Sequence, residues 1–232
     1  MPASAQFLQL KARLEALKSR FLSTPLDASG QYSEEAKDFA RSYRVLAHAE
    51  IEAYVRLRVD ETVRFVLQQW RENKTPHPVL ISMLACWNKN WSDESQDQVP
   101  FPNKEKKEEA MALTVDALVN RAFKAFQTNT ERVYGIRPPD LIEFLMPLGI
   151  DINTEEFGAA WRADMENFGR QRGRVAHSGE AGSQDISPDD ERRRMDSILP
   201  GLEMLDSKFN ELGTFPMVTA PTTSGSTPPV GD

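Results

Sequence analysis

Cysteine occurs once in the chain, at Cys86, so no intramolecular disulfide can form and no Cys-x-x-Cys zinc site exists. A lone cysteine beside Trp87 in an apolar run reads as a buried small hydrophobe rather than a nucleophile. Long hydrophobic runs are missing too. No stretch approaches the ~18 apolar residues that a membrane span requires. The N-terminus, MPASAQFLQLKARLEALKSRF, lacks the basic start and continuous apolar run of a secretory signal. These absences, with the scarcity of cysteine, lead to the expectation of a soluble, cytoplasmic protein with no membrane partner.

Positive charge is in deficit: the formal net charge is −7 and the pI about 5.2. A broadly basic nucleic-acid-binding surface is therefore excluded, and any contact with RNA has to be local. Alternating strand patterns of useful length are absent, as are internal repeats at solenoid periods. What remains, 40% hydrophobic and 27% charged residues, is ample for a packed core.

Helical spacing runs through nearly the whole chain. Phe7, Leu10, Leu14, Leu17 and Phe21 define an amphipathic first helix. Ser33, followed by Glu34 and Glu35, is placed to cap a long second helix that reaches about Trp70. Two apolar stripes lie along it, one with Phe39, Tyr43, Leu46, Tyr54 and Leu57, the other with Val45, Val55, Val59, Val63 and Val66. Such a helix is expected at the centre of the fold.

The prolines around His77 break the pattern, and His77 is expected in a surface loop. Short helices are expected from Val79 to Trp91 and from Leu141 to Leu148, with a longer one after Lys104. A further helix is expected to start at Thr154, with Glu155 and Glu156 in its first turn, and the last to run from Pro188 to Leu212. The four tryptophans read as core. The expected organisation is all-α: an up-and-down helical bundle over residues 1–212 with extra short helices, and a disordered tail over 213–232 rich in Pro, Thr and Ser.

One segment concentrates positive charge in this acidic chain. Arg170, Arg172 and Arg174 are followed by His177, all within GRQRGRVAHSG. Guanidinium groups bind two phosphate oxygens and never titrate, and an imidazole exchanges protons near neutrality. Cleavage of RNA by the ribose 2′-hydroxyl needs both functions and in principle no metal. No metal-ligand cluster or cofactor motif is visible in the sequence.

On an ideal helix, positions 170 and 177 share a face, whereas 172 and 177 diverge by ~140°. A helix end near Ser178-Gly179 would loosen that constraint, so spacing alone does not choose the arginine. Cationic residues in the last turns of a helix also complement its dipole, which is the reading that spacing alone favours.

The run Arg172-Gly173-Arg174-Val175-Ala176-His177 resembles the signature of the HEPN superfamily (higher eukaryotes and prokaryotes nucleotide-binding). That signature is an arginine, four to six residues, then histidine, often reading Arg-Asn-x-Ile-Ala-His. The segment YRVLAHAEIEAYV, from Tyr43 to Val55, is similar to the first long helix of the RiboL-PSP-like HEPN subgroup, where a glutamate sits within an apolar helix. The chain departs from the pattern at Gly173, a position commonly held by a polar helper residue.

The resemblance implies a HEPN-type fold and a metal-independent endoribonuclease that leaves a 2′,3′-cyclic phosphate. It assigns Arg172 and His177 as catalytic, and beside them Arg170 and Arg174 are expected to hold neighbouring phosphates. Glu50 and Glu52 lie among apolar positions of the second helix, where a buried carboxylate could orient a motif arginine, and the resemblance puts Glu52 ahead. It further implies homodimers that share one cleft, and a toxin or antiviral defence role with an antitoxin or other partner protein. Gly173 and the acidic composition leave open a non-catalytic interaction module. Glu50 and Glu52 could equally pair with Arg41, Arg44 or Arg56, and Arg192, Arg193 and Arg194 read as a solvated cluster with the acids before them.

Overall fold

The computed structural model describes residues 2–23, 25, 30–87, 115–177 and 186–213, and the side chains of 171–177 lie outside that description. Among the described residues there are seven α-helices and no strand. They are α1 (Ala5–Phe21), α2 (Glu34–Asn73), α3 (Pro78–Trp87), α4 (Val115–Thr130), α5 (Pro138–Leu145), α6 (Ala159–His177) and α7 (Pro188–Gly213). A 3-10 turn over Met146–Leu148 extends α5.

The long helix α2 starts as its sequence dictates. The Ser33 hydroxyl accepts from the Ala36 N–H, and Glu34 and Glu35 occupy the positive end of the dipole. It ends at Lys74, which takes a left-handed conformation (φ 53°) just before the proline pair.

Helix α1 lies antiparallel on α2, since Gln6 reaches Glu61 while Arg13 reaches Glu50. Helix α7 runs parallel to α2, with Arg44 on Glu191, Tyr54 on Asp206 and Arg58 on Asn210. Helix α6 packs on both: Phe168 faces His48 of α2, with ring centroids 6.1 Å apart, and Trp161 donates to the Ile198 carbonyl of α7 at 3.0 Å. Helix α2 is central, as expected, and touches α1, α3, α5, α6 and α7.

Its two stripes are not equally buried. Val55, Val59, Val63 and Val66 are in the core, but Phe39, Leu46 and Leu57 are exposed, although the Phe39 ring still meets that of Phe21 on α1 at 6.3 Å. Several local expectations are also corrected. Thr154 does not open α6; residues 154–157 form a turn that ends at Gly158 in the left-handed region (φ 70°), and the helix starts at Ala159. Phe157 is nonetheless buried, its ring 5.3 Å from that of Trp161.

Cys86 is exposed, because α3 turns Val79, Leu80 and Met83 inward. His77 is buried rather than at the surface: its Nδ1 accepts from the Val79 N–H and its Nε2 faces the Leu212 carbonyl at 3.0 Å. Trp161 is in the core, and Trp70 and Trp87 pack against it half-buried. Trp91, the loop expected from Ser92 to Asn103, the start of the helix after Lys104 and the tail from 214 lie outside the described residues.

Two buried carboxylates on α7 tie the bundle together. Asp206 accepts from the Ser4 backbone N–H (2.7 Å), the Ser4 hydroxyl (2.6 Å) and the Tyr54 phenol (2.8 Å), and pairs with Arg58 at 3.4 Å. Burial, and then this hydrogen bond to Asp206, raise the pKa of the Tyr54 phenol far above its ordinary value, so it stays a donor. Glu191 receives Arg44 through two N–H groups, at 2.5 and 3.1 Å, and also pairs with Arg194. The acidic start of α7 is thus not wholly solvated: Glu191 is 1% exposed.

Candidate active site

The arginine and histidine motif occupies the last two turns of α6, which stays helical through His177. The helix therefore does not end before the histidine, and helical register applies along the whole motif. Positions 170 and 177 lie within ~20° of one another, and positions 172 and 177 are ~140° apart and about 7.5 Å apart along the axis. Position 172 is one turn beyond Phe168, the residue that faces α2.

Arg170 is exposed and donates to Glu166 of its own helix at 2.7 Å. The side chains of Arg172, Arg174 and His177 belong to the undescribed part. The two candidate glutamates separate. Glu50 lies on the α1 side of α2 and pairs with Arg13 at 2.8 Å. Glu52 lies one turn from His48, on the side that α6 covers, and is held by Arg56 at 3.2 Å with His48 Nδ1 at 3.8 Å. Of the pair, Glu52 is the one on the α6 side of α2.

Arg56 carries this row onward to the turn after α4. It donates to the carbonyls of Thr130 (3.2 Å) and Val133, and its guanidinium stands 5.0 Å from the Phe144 ring and 5.3 Å from the Tyr134 ring. A continuous line of groups thus joins that turn to α6: Tyr134, Arg56, Glu52, His48 and Phe168.

Sequence reasoning missed Arg137. It precedes α5, and Asp140 holds it through its backbone N–H and its guanidinium. Its Cγ stands 2.5 Å from where a Cβ on Gly169 would be, so only glycine lets this arginine lie against α6 one turn before the motif. The available signal was Gly169 itself, since glycine in a helix interior commonly marks a close approach.

Among the described residues no group of three or more His, Cys, Asp or Glu side chains could hold a metal ion. None of the described helices is long and apolar enough to cross a membrane.

A family model described as RiboL-PSP-HEPN matches residues 9–211, a span that runs from within α1 to the last turn of α7 and includes the whole Arg-His motif. No curated protein and no solved structure matches the chain. The match points to a nuclease-like or RNA-related function. The chain belongs to the RiboL-PSP-HEPN family.

Proposed function

We propose that the protein is a metal-independent endoribonuclease that works as a homodimer, with Arg172 and His177 as its catalytic residues. His177 acts as the general acid or base that exchanges a proton with the ribose 2′-hydroxyl or the departing 5′-oxygen. Arg172 stabilises the extra negative charge on phosphorus in the transition state, and Arg170 and Arg174 hold neighbouring phosphates. The 2′-oxygen attacks phosphorus, the bond to the 5′-oxygen breaks, and the products are a 2′,3′-cyclic phosphate and a free 5′-hydroxyl.

The observation that carries this reading is an Arg-x4-His run at the C-terminal end of a long helix in a chain of this family. One helix alone splays positions 172 and 177 to opposite sides. A two-fold arrangement of α6 ends lets the arginine of one protomer and the histidine of its partner meet at one phosphate. Glu52 serves as a positioning residue through His48 and Arg56, whereas Glu50, turned to Arg13, supports the site only through the packing of α1 on α2. The resemblance further favours a toxin or antiviral effector in the cytoplasm, restrained by a partner protein.

The test is cleavage of labelled RNA in EDTA by the purified chain beside Arg172→Ala and His177→Ala. Wild type cuts and both variants lose cutting; a His177→Ala protein as fast as wild type overturns the assignment. A second reading, a non-catalytic helical interaction module, has one observation in its favour: Gly173 stands where the family commonly has a polar helper. Absence of cleavage under all conditions, with or without the partner, supports that module.

A further inference from the structure

The net charge of −7 hides a local group of positive charges along α4 and the turn that follows it. Arg121, Lys124 and Arg132 line a concavity of about 400 Å³ together with Trp87, Thr128 and Asn129. The three cations are exposed, and none pairs with another described residue. Carboxylates stand nearby: Glu143 accepts from Asn129 at 3.0 Å, and Glu131 precedes Arg132 in the chain. Neither lines the concavity.

The strip continues. Tyr134 is 74% exposed, the most exposed large hydrophobic residue among those described, and its ring is backed by the Arg56 guanidinium. Arg137 follows three residues later, half exposed, with Asp140 and Glu166 as its acidic neighbours. Its contact with Gly169 leaves it one turn of helix, about 4.5 Å of axial rise, from Arg172. Cations spaced along a groove and an open aromatic ring are the two elements that hold single-stranded nucleic acid, phosphates on the former and a base on the latter. The Arg56 guanidinium lies 5.3 Å from the centre of the Tyr134 ring and leaves the ring open to a stacking base.

We propose that Arg121, Lys124, Arg132, Tyr134 and Arg137 form a track for single-stranded RNA that leads the strand to the end of α6. The inference deepens the nuclease reading, because it gives that site its substrate class. From Arg121 to Thr130 the helix rises about 14 Å, enough for more than one phosphate. Duplex RNA, whose bases are stacked inside, has no base to offer Tyr134.

The test is fluorescence anisotropy of a labelled single-stranded oligonucleotide against the full chain carrying His177→Ala, so that cleavage does not intervene. Affinity is followed over a salt series. The Arg121→Gln, Lys124→Gln double variant weakens binding about tenfold or more and lowers the slope of log affinity against log salt by about 1.4, that is ~0.7 for each lost cation. Tyr134→Ala weakens binding with the slope unchanged, and Tyr134→Phe restores it. All these positions are at the surface, and urea unfolding midpoints equal to wild type show that the fold is intact.

The track is overturned if the chain binds no RNA up to about 100 µM, if the double variant keeps its affinity and slope, or if duplex RNA binds as tightly as single strands. A wild-type chain that binds with these signatures but cuts nothing overturns the nuclease reading alone. A chain that cuts normally while the track variants bind unchanged overturns the track alone.

Discussion

Trp161 lies so close against Gly201 that a Cβ at that position would overlap the indole nitrogen, which donates instead to the Ile198 carbonyl. Gly201 sits inside α7, one residue after Pro200, where intrinsic propensity argues against both residues. The contact explains the glycine: α6 is seated on α7 by an indole pressed against bare backbone.

Gly201→Ala is therefore expected to destabilise the protein by about 1–3 kcal/mol, the range for overpacking, despite alanine's better helix propensity. Urea unfolding measures this. A variant as stable as wild type, or more stable, would show that α6 slides freely on α7.

Asp206 is the junction of α1, α2 and α7, and no local sequence signal marks it. Asp206→Ala removes the acceptor for Ser4 and Tyr54 and leaves Arg58 without its buried carboxylate. Loss of about 3–5 kcal/mol is expected. Hydrogen exchange should quicken first in α1, whose N-terminal cap Asp206 holds. Unchanged protection in α1 would contradict this role.

His77 gives a pH-dependent term. Burial lowers its pKa from 6.5, opposed by its hydrogen bond to Leu212. The Val79 N–H fixes Nδ1 as an acceptor, so the folded state holds the neutral ring. The folded pKa lies below the unfolded one, so the unfolded chain binds the proton first. The stabilisation is complete above 6.5 and is lost as pH falls through the window between 6.5 and the lower folded value. Urea midpoints taken from about pH 8 to about pH 5 should fall more steeply for wild type than for His77→Gln, whose side chain does not titrate. Parallel curves would refute it.

The sequence made the architecture legible where periodicity and caps agree. Ser33 with Glu34 and Glu35 sets the start of α2, and the arginine-histidine run marks the end of α6 before any packing is known. What it could not display depends on distant chain. Glu191 and Asp206 look like surface acids on α7 until Arg44, Tyr54 and Ser4 arrive from 147 to 202 residues away. Thr154 with its acidic followers matches a helix start, yet Gly158 defers that start, since Phe157 has to turn inward before α6 begins. At the site, the motif was legible but Arg137 was not, because its tie to α6 is a contact with a glycine and leaves no pattern along its own segment.

The choice between the two arginines decides how the site is assembled. Arg170 shares the register of position 177, yet it is already engaged by Glu166 at 2.7 Å on an exposed surface. Such an exposed pair contributes little energy and competes weakly with a phosphate. Arg172 lies ~140° from position 177, so one protomer cannot easily aim both at a single phosphorus, but two protomers related by a two-fold axis can. Arg172→Ala should therefore lower the cleavage rate by about 100- to 1000-fold, the scale for removing a donor to a developing charge, and Arg170→Ala by much less. Mixing Arg172→Ala with His177→Ala protein should restore part of the activity, because the proposed homodimer, when mixed, would keep one intact composite site. If Arg170→Ala is the more damaging change and the mixture stays dead, the pair works within a single helix and the shared cleft is the wrong picture.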